Sequence, residues 1–538
     1  MVLVSTATVV AHIVGAWWFP STFWGAHFYR FLPSFVLPGA LVLLLIATAT
    51  IFTARASLIE RVRGSSISRI AIWSTVAFSM TLFWLLRLRH GLLGDSAPLS
   101  ANLPLGEAWH PRQPLTAFLH QAAFTFAERL FPEGAALREF AFDTVAVESV
   151  LLGGCFVLGA FPLAKELLRN HDEGLATGPP PVGLAVALLL TQGFIQLCCG
   201  YVENYTHFFV ALLFYTLLGL RAAKGRIPLI VPSCILAVAI ALNLAGAILV
   251  PSWIVLLVSA RRAARPLAAM VDRVASAAIL VLAFVMIVVL APQSHGGLDY
   301  MVNLVLKGAQ GSTSLSDLFS VRHLMDVLNV HLLMGPFAAL LMVPLLAVIA
   351  PRGIDRGGAF LFAAALPALW TSWSFADPLQ GFPRDWDIFA SFGPLYTATG
   401  IYIVSTVIAG TRLSRLFALA VVVSLFHTVP WIALNTSETL ALERYKTFKL
   451  TRGRAEAVVG QWYLAHADTT QAREWLGKAI QANPGNNMAR YHLGIIARQE
   501  ARYAEAVDHF GIAYKVRPDR EDYRLALIDA LVLAGEDG

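Results

Sequence analysis

The chain is dominated by apolar runs long enough to cross a lipid bilayer, and few features restrict a fold more tightly. A hydrocarbon core of about 30 Å takes roughly 17–25 helical residues. Inside it each backbone N–H and C=O must find a partner within the segment, which makes a single apolar run an α-helix. Such runs fall at about 2–19, 34–53, 68–86, 143–163, 182–200, 205–220, 228–243, 245–260, 275–291, 331–350, 358–374, 391–409 and 415–434. The predicted fold is therefore all-α, a polytopic bundle of about thirteen spans. The two runs between Arg226 and Arg261 share 34 residues, about one bare crossing each at roughly 1.5 Å per residue.

Only 14% of the residues are charged and 57% are hydrophobic, whereas a soluble domain carries about a quarter charged residues. A net charge of +6 could suggest nucleic acid, but the Lys and Arg residues cluster in short loops between apolar runs, which is a signal of topology. Nucleic acid is excluded as a partner on that ground. Cys155, Cys198, Cys199 and Cys234 lie in apolar segments without CxxC or Cys/His ligand spacing, so neither a disulfide framework nor a zinc site is expected. The N-terminus lacks a charged n-region and a small-residue cleavage site, so it is predicted to be a first membrane helix.

Orientation follows from the same loops, because Lys and Arg accumulate on the cytoplasmic side. One alternating set holds Arg55, Arg61, Arg63 and Arg69; Lys165 and Arg169; Arg221, Lys224 and Arg226; Arg261, Arg262, Arg265 and Arg273; Arg352 and Arg356; and Arg412 and Arg415. The opposite set contains turns around Glu203 and Asn243 and three long loops at about 87–142, 292–330 and 375–390. Those loops, and everything after about Asn435, are expected outside the cytoplasm.

The tail has an internal period of 34. It pairs Gly460 with Gly494, Ala472 with Ala506, Leu476 with Phe510, Ala479 with Ala513 and Pro484 with Pro518. Small residues at these places let two antiparallel helices approach and Pro ends the second, the pattern of a tetratricopeptide repeat. Two repeats and a partial third, Glu521 to about Ala534, predict a short α-helical solenoid. The expected organisation is then 1–67 N-terminal membrane helices, 68–434 the main membrane module, 435–452 a linker helix and 453–538 the repeat domain.

Candidate chemistry gathers on the outer loops. Asp95 ends an apolar run and opens the first long loop, which continues through Trp109-His110-Pro111-Arg112-Gln113-Pro114-Leu115 into an amphipathic stretch to Leu130, predicted to lie along the membrane surface. The second turn, Gly200-Tyr201-Val202-Glu203-Asn204-Tyr205-Thr206-His207, carries a Glu between two apolar helices, which is costly unless it faces a wet cavity or a partner. The third long loop ends in Val321-Arg322-His323, and the fourth contains Pro383-Arg384-Asp385-Trp386-Asp387. Read as an extended segment, the latter puts Asp385 and Asp387 on one side and Arg384 and Trp386 on the other. That arrangement suits a divalent metal, sugar hydroxyls, or a pairing of Arg384 with Asp95 or Glu203. No histidine stands at metal-ligand spacing.

Gly94-Asp95-Ser96, Gln113-Pro114-Leu115, Tyr201 to Tyr205 and Pro383 to Asp387, with the topology, resemble the GT-C superfamily of polyprenyl-phosphate-sugar-dependent glycosyltransferases over roughly residues 68–434. The repeat tail is similar to the luminal repeats of O-mannosyltransferases. Two spans precede the helix ending at Asp95 where that family usually has one, and Glu203 stands where several relatives have Asp. The resemblance implies an inverting transfer from a polyprenyl-phosphate-linked sugar to a protein or glycan acceptor outside the cytoplasm, in a bacterial inner membrane. Asp95 would be the base. Glu203 would orient acceptor or sugar, Arg112, His207, Arg322, His323 and Arg384 would hold phosphate, and Asp385, Trp386 and Asp387 would contact substrate. An oligosaccharide ligase of the O-antigen type would depend instead on Arg and His in a late loop. A scaffold would need only the repeats and a protein partner, and a transporter would place ionisable residues in mid-span, where His12 and His427 are nearly alone.

Overall fold

The computed structural model describes residues 2–55, 67–107, 112–131, 137–169, 180–259, 266–290, 315–337, 354–374 and 381–536. Trp109-His110-Pro111, the greater part of the loop at 292–330, much of the expected span at 331–350, and Arg61, Arg63, Arg261, Arg262, Arg265 and Arg352 lie outside these residues. The described part is helical and contains no strand. It divides into two compact units, residues 1–437 and 438–538.

In the first unit, α1 is Val2–Trp17, α2 Val36–Thr53, α3 Arg69–Leu85, α4 Ser96–Asn102, α5 Pro114–Leu130 and α6 Leu137–Leu168. Then come α7 Val182–Leu190, α8 Thr206–Ala223, α9 Ile230–Leu242, α10 Val250–Ser259 and α11 Pro266–Leu290. The unit closes with α12 Val321–Met334, α13 Arg356–Ser374, α14 Trp386–Ala390, α15 Gly393–Val407 and α16 Gly410–Asn435. Six segments among the described residues are long and apolar enough to cross a membrane: Val36–Thr53, Leu137–Leu168, Thr206–Ala223, Leu267–Met286, Trp386–Val407 and Gly410–Asn435. This is the pattern of an integral membrane protein. Val42, Leu43, Leu45 and Ile46 of α2 are exposed, as expected of a helix whose outer faces meet lipid. Leu3–Trp17, Arg69–Leu85, Ile230–Leu242 and Leu244–Val258 are apolar but shorter; the 13 residues of α9 reach only about 20 Å.

The expected span at 182–200 is not one helix. It is α7, a break at Thr191-Gln192, and a 3-10 turn from Gly193 to Cys198. The cause is a close approach, since a Cβ on Gly193 would stand 1.8 Å from the Leu333 carbonyl oxygen at the end of α12. Buried Gln192 donates to the carbonyl of Leu188 and to Ser424 Oγ on α16, at 3.0 and 2.8 Å. The expected span at 245–260 likewise begins as a 3-10 turn, Leu244–Leu249, before α10. Asn243 caps it by accepting from the Ala245 N–H, while the Leu244 N–H goes to the Arg112 carbonyl at 2.9 Å.

His12 and His427 meet in the core. His12 Nε2 lies 3.0 Å from His427 Nδ1, and His427 Nε2 lies 3.1 Å from the Leu333 carbonyl. Tyr29 donates to the Phe426 carbonyl at 2.7 Å. The N-terminal helix is thereby joined to α12 and α16. Two polar side chains that would be costly in lipid pair with one another here. The amphipathic stretch of the first long loop is α5, with Ala117, His120 and Phe124 buried and Phe118, Phe126 and Leu130 exposed.

The second unit contains α17 Glu438–Tyr445, α18 Arg454–Ala465, α19 Thr469–Ala482, α20 Asn487–Gln499, α21 Tyr503–Val516 and α22 Glu521–Glu536. The helices pair as antiparallel hairpins with the spacing read from the sequence. Gly460 faces Leu476 and Gly494 faces Phe510, where a Cβ would meet side-chain carbon at 2.6 and 2.7 Å. Ala472, Leu476, Ala479, Ala506, Phe510 and Ala513 are all fully buried. Asp468 and Asn486 cap α19 and α20 by accepting from the N–H groups of Gln471 and Ala489; caps of this kind contribute about 1 kcal/mol each.

Candidate active site

Three connections meet at the start of α4. After α3 the chain is pinned by a backbone hydrogen bond from the Leu88 N–H to the Cys199 carbonyl, 2.9 Å. That bond lays 87–95 against the turn that carries Glu203. Gly94 then takes a left-handed conformation, φ +61°, which glycine adopts without penalty. A Cβ on Gly94 would stand 2.2 Å from Glu203 Oε1, so the missing side chain is what lets this carboxyl reach the backbone. From the fourth loop the Arg384 guanidinium donates through Nε and Nη2 to the Gly94 carbonyl, at 3.1 and 2.7 Å. Asp95 follows, exposed, at the N-cap position of α4, and its side chain makes no capping bond there.

Glu203 is buried, with 2% of its surface exposed. Its Oε2 accepts from the Asn204 N–H at 3.0 Å, while the buried Oε1 makes no hydrogen bond. Burial pushes its pKa well above the ordinary carboxylate range, and the charges of Asp387 and Asp95 add to the rise; the Asn204 N–H and Arg384 oppose it. Glu203 thus keeps its proton to higher pH than a free carboxyl.

Asp385 and Asp387 are both buried, but the segment is not extended. The N–H groups of Arg384 and Asp385 both donate to the Gly381 carbonyl, at 3.0 and 2.9 Å, and Gly381 takes φ +87°. This is a turn, and α14 starts at Trp386. Tyr201 donates its hydroxyl hydrogen to Asp387 Oδ2 at 2.9 Å and accepts from Trp386 Nε1 at 3.1 Å, while Asp387 Oδ1 accepts from the Ile388 N–H at 2.9 Å. Trp386 is fully buried against Trp431. Beside them, the Tyr205 phenol is pushed far above its usual range by burial and then by the charges of Asp387, Glu203, Asp385 and Asp95. Four carboxylates thus lie near enough to Tyr205 for their charges to act on it, and Arg384 lies near enough to Glu203 to act on that residue.

The structure gathers Asp95, Glu203, Arg384, Asp385, Trp386 and Asp387. The other candidates stand elsewhere. His207 packs edge-on to His120, ring centroids 5.2 Å apart, and His120 Nδ1 lies 2.5 Å from Glu148 Oε2. His323 holds the Trp373 carbonyl through Nε2 at 2.6 Å, its ring 5.7 Å from that of Phe382. Arg112 contributes its carbonyl to the Leu244 turn. Arg322 is exposed, 4.0 Å from Asp326, which also takes a hydrogen bond from Trp24. Sequence reasoning does not single out Tyr201 and Tyr205 as site residues, although both flank Glu203 and carry the hydroxyls a buried acid needs beside it. Among the described residues no group of three His, Cys, Asp or Glu side chains converges closely enough to hold a metal ion.

The raised pKa of Glu203 yields a stability test. A carboxyl whose folded pKa lies above its unfolded value of about 4.3 costs the fold stability as pH rises between the two, because the native state holds the proton longer. Glu203→Gln keeps the shape without the charge. Its thermal midpoint in detergent is expected to equal or exceed that of the wild type near neutral pH, with the gap closing under acid conditions. A variant less stable than wild type at every pH would count against a protonated Glu203.

No family model matches the chain, and no curated protein matches it in sequence. Two solved structures are similar to it, both of ArnT from Cupriavidus metallidurans. The one bound to undecaprenyl phosphate is 14% identical with a TM-score of 0.35, covering 86% of this chain and 76% of that one. The apo structure is 14% identical with a TM-score of 0.38, covering 87% and 77%. Likeness at this level assigns neither family nor activity, and the functional reading rests on the carboxylate cluster itself.

Proposed function

We propose that this protein is a membrane glycosyltransferase of GT-C type that moves a sugar from a polyprenyl-phosphate carrier to an acceptor on the non-cytoplasmic face. The observation that carries the reading is the meeting of Asp95, Glu203 and Arg384 at Gly94, next to the Tyr201–Asp387 pair. The exposed Asp95 takes the acceptor's hydroxyl proton as that oxygen attacks the anomeric carbon. The bond from that carbon to the carrier phosphate breaks with its electron pair, inverting the centre, and the proton then leaves Asp95 for solvent. Arg384, oriented by the Gly94 carbonyl, faces the developing phosphate charge. Glu203 and the Tyr201–Asp387 pair hold sugar or acceptor hydroxyls. A ligase relying on late-loop Arg and His would have only Arg384 of that set at the site, since Arg322 pairs with Asp326 and His323 holds the Trp373 carbonyl. The paired helices of 454–536 act as tetratricopeptide repeats that recruit the acceptor or its carrier protein.

The test is release of polyprenyl phosphate when purified protein meets short-chain polyprenyl-phosphate sugars and a panel of acceptors. At least one donor is expected to turn over with inversion. A chain ending at residue 437 should still use small acceptors while losing the natural one. Absence of turnover with every donor by a folded full-length protein would overturn the reading.

A further inference from the structure

On the membrane face where α6 and α8 end, one buried acid is surrounded by more cations than its burial requires. Glu166, in the last turn of α6, has only 6% of its side chain exposed. Arg226 Nη1 lies 2.5 Å from Glu166 Oε1, Lys224 Nζ 3.1 Å from the same oxygen and Arg221 Nε 3.8 Å from Oε2. Lys224 Nζ is also bonded to the Glu166 carbonyl at 3.1 Å. A single cation would neutralise a buried carboxylate. Three leave a surplus of two positive charges, and exposed Lys165 and Arg169 stand on the same helix end. Nearby Asp272 is engaged elsewhere, accepting from the N–H groups of Leu229 and Ile230 at 2.8 and 2.9 Å. The next acids in sequence, Asp172 and Glu173, lie outside the described residues.

Glu166 does more than pair. It gathers three long side chains from one connection into a single place, removing rotamer freedom that would otherwise be lost on binding an anion. Arg221 and Arg226 remain about one-third exposed although Glu166 holds one guanidinium nitrogen of each, Nε of Arg221 and Nη1 of Arg226, which leaves their other nitrogens for a ligand. The flanking segments, Leu137–Leu168 and Thr206–Ala223, are both long and apolar enough to span, which sets this cluster at the level of lipid headgroups. We propose that Lys165, Arg169, Arg221, Lys224 and Arg226, organised by Glu166, form a binding site for the phosphate headgroup of an anionic membrane phospholipid. Planar guanidinium groups match phosphate oxygens two at a time, and each cation near a membrane surface adds to the attraction for anionic lipid.

The probe is phosphatidylglycerol. Full-length protein is reconstituted in vesicles of phosphatidylcholine with and without phosphatidylglycerol and re-extracted, and the retained lipid is counted by mass spectrometry. Wild type is expected to retain phosphatidylglycerol above its share of the bilayer. Arg221→Gln/Arg226→Gln should lose that enrichment by roughly fivefold per cation removed. Arg69→Gln, in another basic loop, should leave it unchanged. Excess inorganic phosphate should not displace the lipid, and displacement would overturn the assignment to a bilayer lipid. Lys165→Gln/Arg169→Gln alters only exposed side chains and carries the test should the first variant fail to fold; it too must lower retention. Enrichment equal to wild type in these variants, or none in wild type, would sink the proposal.

Discussion

Asp95→Asn is expected to lower sugar transfer by about 10²–10⁴, the usual worth of general-base catalysis, while the protein still folds and binds its polyprenyl-phosphate donor. The amide keeps the shape and hydrogen-bonding reach of the carboxylate but cannot take a proton. Asp95 is the exposed member of the cluster, whereas Glu203, Asp385 and Asp387 are buried, so only Asp95 meets solvent without a change in the fold. Loss of turnover with unchanged donor affinity would mark an interaction made in the transition state. Near-normal turnover in Asp95→Asn together with abolished turnover in Asp387→Asn would make Asp95 structural and move the base into the fourth loop.

Gly94→Ala should be the most damaging single methyl group that can be added to this site. Its φ of +61° costs a non-glycine residue roughly 1–2 kcal/mol. The new carbon would also stand 2.2 Å from Glu203 Oε1 and 2.8 Å from its Cδ and Cγ, so Glu203 must move. The Gly94 carbonyl that holds Arg384 would shift with it. Gly106 supplies the control, because it has φ +71° but a Cβ added there would meet nothing within 4 Å. Gly106→Ala should show the backbone cost alone. Gly94→Ala should be less stable than Gly106→Ala by an additional ~1–3 kcal/mol of overpacking and should lose transfer by at least about tenfold. Equal thermal midpoints and equal turnover for the two variants would show that the approach of Glu203 to Gly94 plays no part.

Much of the site was legible because its residues break local rules. An acid at the end of an apolar run, a Glu between two apolar helices and two Asp residues opening an apolar stretch are each conspicuous against their own neighbours. Their common face was legible too, but not the atoms that join them. Arg384 spends two of its nitrogens on the Gly94 carbonyl, and no side-chain pattern encodes a backbone acceptor. His207 reads as an outer-loop residue yet lies in the first turn of α8 with its ring against His120, which in turn meets Glu148. The extended reading of Arg384 to Asp387 failed because alternation assumes a strand, while Gly381 offered a positive φ and a carbonyl that folds the segment into a turn.

The sequence by itself determined the membrane character and the spacing of the helical hairpins in residues 454–536. Each of these depends on composition or periodicity within a few turns of chain, where burial in lipid or against the next helix selects residues one position at a time. The tertiary structure decided where the helices break and which carboxylates share a space. The break at Gln192-Gly193 exists because the carbonyl of Leu333 arrives there, and Glu203 holds its proton to higher pH because it is buried against Gly94 near the charges of Asp387 and Asp95, with Arg384 pulling the other way. Desolvation and charge fall off over a few ångströms in space, whatever the distance along the chain. Two residues separated by three long connections can set one another's chemistry only after the helices between them have packed.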